Sequence, residues 1–264
     1  MNLLWSDCTW EDIAQAARDD YVVVFPVGAI EQHGPMLPVQ VDARLAERWA
    51  FDGAQRAREQ YGLNVLVLPT LPYGQSCFHM RFPGTISLRF ETYISAMCEI
   101  MRTVVETGFR AIAIVNGNGG NASSVEVARH RLVEELTREG KEARIYVHSC
   151  WEDAYFQAEW RKLGEQGLLP DETMGIHAAA PETAEMLADR PHLVKREKMV
   201  KATLKRTEQP GYFWLADEIS ETGAFGDPSQ ATAELGERLW SIVAESVARL
   251  LRRIGEETGS GKAR

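Results

Sequence analysis

At 264 residues the chain can bury a sizeable core and form one large α/β domain or two small ones. Its charged (25%) and apolar (45%) fractions are those of an ordinary globule, and a formal net charge of −9 excludes nucleic acid as a bulk partner, because phosphate binding needs a basic surface. No apolar run approaches the roughly 18 residues of a membrane span, so no membrane partner is expected.

Thr9-Trp-Glu-Asp12 has the form of a capping box and opens a short helix to about residue 18. The β-branched run 21–27 reads as a buried strand. It breaks at Gly28 and presents Glu31 and His33, which face one side if the backbone stays extended. Asp42 then starts a helix over 42–60, with Leu45, Trp49 and Ala50 at helical spacing and Tyr61-Gly62 as its stop. A second apolar strand is expected at 64–68. Residues 71–84 are turn-rich and without period, a long loop of the kind that often carries function. A short strand at 85–88 and a helix at 91–106 follow.

The third strand, 111–115, runs into Asn116-Gly-Asn-Gly-Gly-Asn121 and a helix with Val125, Ala128, Leu132 and Leu136 on one face. The fourth strand is 143–148. Aromatics in 151–180 suggest a helix or lid. Pro181 suits the first turn of a helix reaching about 188. Residues 194–229 read as polar and irregular, 231–254 as the last helix, and 258–264 as a frayed tail. Buried strands alternating with helices imply an α/β fold, a three-layer α/β/α sandwich on a mostly parallel sheet, as a single domain over 1–257. Cys8, Cys77, Cys98 and Cys150 lack CxxC spacing, which fits free thiols; with no evident signal peptide, a cytoplasmic protein is expected.

Ligands of open α/β sheets bind at the carboxyl ends of the strands. Three such ends carry polar loops here: Glu31 and His33, Tyr73 to His79, and Asn116 to Asn121. Glu, His and Asp gathered there are candidate ligands for a divalent metal, against the plain alternative of a solvated loop. Gly117-Asn-Gly-Gly-Asn-Ala also fits a relaxed dinucleotide fingerprint, but the following strand ends in His148-Ser-Cys without the acidic residue that reading needs. His177 and Glu182 across Ala-Ala-Ala-Pro suit acid–base work or metal ligation, or a histidine with one backbone hydrogen bond. His130 and His192 read as solvated, and His148 as either core or site.

Taken together, Gly28-Ala-Ile-Glu-Gln-His-Gly-Pro with Asp42, His79-Met-Arg-Phe-Pro-Gly, Val115-Asn-Gly-Asn-Gly-Gly-Asn, His177-Ala-Ala-Ala-Pro-Glu-Thr and Gly226-Asp-Pro resemble, in order, the motifs of the creatininase (creatinine amidohydrolase) family. The resemblance implies metal-dependent hydrolases of C–N bonds, many of them hexamers. It implies Glu31, His33, Asp42 and Glu182 as metal ligands, with Asn118 where most relatives carry a ligating histidine. His177 and Glu182 take the catalytic roles.

On this basis the expected cofactor is one or two divalent ions per chain (Zn, Mn or Fe), which lower the pKa of a bound water to about 7. The expected partners are a small amide substrate and further copies of the chain. Gly119, Gly120, Asn121, His79, Tyr73 and Trp151 are the expected substrate contacts. Trp151 stands near the first of two tryptophans that line the creatininase pocket and Thr173 near the second, so creatinine is not the expected substrate. The alternative is a catalytically impaired, metal- or ligand-binding member, with Asn118 as the lesion.

Overall fold

The computed structural model describes residues 2–169, 177–205 and 215–259. Four parallel strands, β1 (Val22–Val27), β2 (Val65–Val67), β3 (Ala111–Asn116) and β4 (Arg144–Ser149), form a sheet in the order β2-β1-β3-β4. The helices are α1 (Trp10–Arg18), α2 (Val41–Tyr61), α3 (Phe90–Thr107), α4 (Ala122–Arg138), α5 (Ala154–Glu165), α6 (Ala180–Asp189), α7 (Ala216–Ile219) and α8 (Ala233–Thr258).

Side chains of a strand alternate between faces, and the core divides accordingly. Val22 and Val24 join α2, α5, α6 and α8 in one cluster. Val23, Phe25 and Val27 join α1, α3 and α4 in the other. A sheet covered on both faces is why β1 and β3 are buried at every residue and read as unbroken apolar runs. The result is the three-layer α/β/α sandwich.

Several expected boundaries shift. β2 keeps only three residues. Residues 85–88 form no strand; Ile86 and Ser87 each make a single bridge, to Ile30 and Gly74 in the neighbouring loops. The Thr9 capping box forms as read. Thr232 caps α8, which runs on to Thr258, past the expected end at 254; of the expected tail, residues 260–264 lie outside the described residues. His148 is core: its Nε2 lies 3.3 Å from Ser246 Oγ, whose hydroxyl donates to Asp153 Oδ1 at 2.6 Å.

The strand order reverses between β1 and β3, and the crevice beyond such a switch point is where open α/β sheets bind ligands. The last residues of the two strands, Val27 and Asn116, are paired. Two glycines bring the first turn of α2 onto them. A Cβ at Gly28 would lie 2.4 Å from Ala43 Cα, and one at Gly117 2.6 Å from the Asp42 carbonyl oxygen. Only glycine permits this contact, which delivers the Asp42 carboxylate to both loops at the favourable N-terminal end of the helix.

One buried carboxyl lies behind the crevice. Glu185 accepts from Trp49 Nε1 at 2.9 Å, and burial pushes it up to about 8. The folded protein then holds a proton that the unfolded chain releases above about 4.5, so stability falls as pH rises between those values. Glu185→Gln keeps the acceptor for Trp49 without the ionisation. Denaturant unfolding at about pH 6 and pH 9 should show a flatter pH dependence and a gain of a few kcal/mol at the higher pH; a slope equal to wild type would contradict this origin.

Candidate metal centre

Glu31, His33, Asp42, Asn118, His79 and His177 are all buried at the crevice, and the partly buried Glu182 enters from the first turn of α6. His33 Nε2 lies 3.1 Å from Asp42 Oδ1 and 3.8 Å from Glu182 Oε2. Glu31 Oε1 lies 3.3 Å from His79 Nε2 and 3.6 Å from His177 Nδ1. Two overlapping groups, Glu31/His33/His177 and His33/Asp42/Glu182, each bring three ligand atoms within 4.8 Å of one another.

The donor set fits a divalent cation. A backbone carbonyl only accepts, so each nitrogen facing one must carry the proton. His33 Nδ1 faces the Glu31 carbonyl at 3.1 Å, and His177 Nε2 faces the Gln32 carbonyl at 2.7 Å. Both rings therefore turn their other nitrogen toward carboxylates, the arrangement in which ligating histidines are held, and His33 would give up its second proton there to a metal ion. The charges agree. Burial pushes Glu31 up to about 8, and Asp42 adds to it. Burial pushes His33 down, but Asp42, Glu182 and Glu31 outweigh it and hold the ring at about 10. Three carboxyl groups around one imidazolium hold a positive charge that a metal ion would replace.

His33 has one lone pair to give, and it points at Asp42 and Glu182. The second group is left with Glu31 and His177. Asn118 does not complete it in this arrangement: its Oδ1 accepts from the Gly120 N–H, and its Nδ2 donates to Glu31 Oε2 at 2.9 Å and Asp42 Oδ2 at 3.1 Å. An amide nitrogen offers protons and no lone pair. Asn118 thus ties two carboxylates together.

Glu182 reaches the cluster through a strained turn. Ala178 takes φ 52°, a left-handed conformation that costs about 1–2 kcal/mol in a non-glycine residue. That turn directs the Ala178 N–H onto the Glu182 carboxylate.

The other expected contacts divide. His79 is in place and stacks on His177, centroids 4.3 Å apart. The N–H groups of Gly120 and Asn121 are not free for substrate, because the turn uses them on Asn118 Oδ1 and the Asn118 carbonyl. Gly119 is exposed. Asn121 holds the loops, bonding the Gly28 carbonyl and the Gln75 N–H. Tyr73 is exposed, and Trp151 packs against the core shared by α2, α6 and α8. Thr173 lies outside the described residues.

Sequence reading missed Gln32, Ser76 and Phe225. Ser76 donates to Glu31 Oε2 at 2.7 Å, and Phe225 lies beside His177 with centroids 5.3 Å apart. Simple alternation would turn Gln32 away from Glu31 and His33. The chain leaves the strand at Val27, and all three side chains reach the cluster. No helix among the described residues is long and apolar enough to cross a membrane.

Comparison with known proteins gives the same assignment. The family model "Creatininase: Creatinine amidohydrolase" matches residues 6–251. A mycofactocin precursor peptide peptidase of Mycobacterium tuberculosis (strain ATCC 25618 / H37Rv) is 29% identical over 246 residues, covering 88% of this chain and 84% of that protein. A creatinine amidohydrolase of Pseudomonas putida is 29% identical over 259 residues, covering 93% and 95%. The solved structure described as "Creatininase Mn" superposes with a TM-score of 0.84 at 26% identity, covering 96% of this chain and 99% of the other. The motifs, the fold and the buried His–carboxylate cluster converge with these matches: the chain belongs to the creatininase family of hydrolases.

Proposed function

We propose that the protein is a metal-dependent amidohydrolase that cleaves a C–N bond of a small linear or cyclic amide other than creatinine. His33, Asp42 and Glu182 hold the principal divalent ion (Zn, Mn or Fe), and Glu31, the third carboxylate acting on His33, adds from the adjoining position the negative charge that tight binding of that ion requires. The observation that carries this reading is the orientation of His33 and His177, each anchored by a backbone carbonyl on one nitrogen and aimed at carboxylates with the other. When bound, the ion would polarise the scissile carbonyl and make a nucleophile available at neutral pH.

His177 moves the proton. Its Nε2–H is committed to the Gln32 carbonyl, so Nδ1, 3.6 Å from Glu31 Oε1, takes a proton and returns it to the departing nitrogen. Phe78 and Phe225, ring centroids 5.7 Å apart, stand beside His79 and supply an apolar wall suited to a flat amide. A homo-oligomer, hexameric as the resemblance implies, and a cytoplasmic location complete the proposal.

Turnover should be measured for the metal-loaded protein on formamides, cyclic amides and short peptides. Activity on the small amides is expected. Activity on peptides alone would replace this reading with a peptidase, the activity by which the M. tuberculosis relative is named.

The amide of Asn118 favours one tightly held ion per chain, because it satisfies Glu31 and Asp42 without a second. Metal analysis after dialysis should give one ion in wild type and a second in Asn118→His, since imidazole restores a lone pair at that place. Two ions in wild type would mean that Asn118 turns its oxygen inward. None would favour the catalytically impaired reading.

A further inference from the structure

We propose that Gln32 is a positioning residue that fixes which ring nitrogen of His79 and of His177 carries the proton. This deepens the proposed reaction and rests on its placing His177 Nδ1 in the proton transfer. Gln32 is buried between the two catalytic-loop neighbours Glu31 and His33, and both its side chain and its main chain touch imidazoles.

The orientation of the carboxamide is settled at its oxygen. Gln32 Oε1 accepts from the Gly34 N–H at 2.9 Å, so Nε2 faces the rings. That nitrogen has two hydrogens and three close neighbours: His79 Nδ1 at 2.7 Å, the Gly223 carbonyl at 3.0 Å and His177 Nε2 at 3.0 Å. His177 Nε2 already donates to the Gln32 carbonyl at 2.7 Å, so it is not an acceptor. The two amide hydrogens therefore go to the Gly223 carbonyl and to His79 Nδ1. His79 must be neutral and unprotonated at Nδ1, and its Nε2–H then points at Glu31 Oε1, 3.3 Å away.

One residue thus imposes the same Nε2–H tautomer on two stacked rings that face Glu31 with opposite nitrogens. The main chain of Gln32 gives His177 a free Nδ1 toward the ligand cluster. Its side chain gives His79 an Nε2–H donor toward the same carboxylate. With His79 reversed, two protons would meet at Gln32 Nε2 and a lone pair would face Glu31; with His177 reversed, a lone pair would face the Gln32 carbonyl. The seat is built for this side chain. Gly223 takes φ +81°, and a Cβ there would lie 2.1 Å from Gln32 Oε1. A side chain at 223 would expel the carboxamide.

The test is the 15N signature of the imidazoles in the full chain labelled at histidine and loaded with Zn2+, whose closed d shell leaves the spectrum undisturbed. Wild type should show His79 protonated at Nε2 alone. Gln32→Glu has the same shape but only accepts, so His79 should invert to Nδ1–H. Gln32→Met removes the donor, so His79 should become a mixture while His177 keeps its tautomer, since the carbonyl remains. In both variants kcat should fall about 10–100-fold, the usual loss for such an outer contact, with KM within about 3-fold. Wild-type His79 protonated at Nδ1, or a His79 signature untouched by either variant, would overturn the proposal. A wild type with the expected tautomers but no amidohydrolase activity would defeat the proposed reaction and leave the role of Gln32 standing.

Discussion

Glu31→Gln is expected to abolish turnover, with a loss of at least about 10³-fold in kcat/KM, and to remove the metal-dependent part of the protein's stability. The rate loss corresponds to the several kcal/mol of charge stabilisation that a bound ion supplies. The stability loss has a particular signature. Burial and the nearby Asp42 charge push Glu31 up to about 8, so in the metal-free protein it is already protonated at neutral pH. A glutamine oxygen can still accept from Ser76 and Asn118, which bond the same carboxylate oxygen now. The metal-free variant should therefore melt close to metal-free wild type.

Added metal is the discriminating condition. At 100-fold excess over Kd a ligand stabilises by about 2.7 kcal/mol, roughly 5–10 °C for a chain of this size. Wild type should gain this shift and Glu31→Gln should lose most of it. A variant that keeps both the shift and the activity would sink the role given to Glu31.

His177→Gln separates proton transfer from metal binding. Positioned acid–base groups contribute about 10²- to 10⁴-fold, and kcat should fall by that amount. His177 lies outside the His33/Asp42/Glu182 group and, unlike Glu31, brings no negative charge to it, so metal content and the metal-dependent melting shift should stay near wild type. Loss of the ion along with the rate would make His177 a ligand instead. The pair of variants is informative because one carboxylate and one imidazole that nearly touch are assigned different tasks.

Much of this could be read from residues alone, and the reason is physical. Parallel strands buried on both faces leave continuous apolar runs, so β1 and β3 were legible and with them the loops that end at the crevice. Glu31, His33 and Asp42 follow at short range, and the cluster gathers all three. Glu182 and His177 arrive from a distant helix entry, and only the family resemblance connected them to the site.

Orientation was not legible. Nothing in Asn-Gly-Asn-Gly-Gly-Asn says that the Asn118 oxygen would be taken by the Gly120 N–H, leaving a donor toward the carboxylates. The same satisfied turn withdrew the N–H groups expected to meet the substrate. Gln32 escaped notice because alternation was assumed to continue past the end of β1. The expected strand at 85–88 failed because its apolar residues bridge to loops and have no extended partner along their length.

The central claim is that His33, Asp42 and Glu182 hold a divalent cation. It is tested most directly by anomalous diffraction at the zinc edge, from crystals of the full chain grown with Zn2+. The account predicts a peak about 2.0–2.2 Å from His33 Nε2 and from one oxygen each of Asp42 and Glu182, the ordinary range for such ligands. A zinc-loaded crystal with no peak in the cluster, or with zinc bound only elsewhere on the molecule, would contradict it.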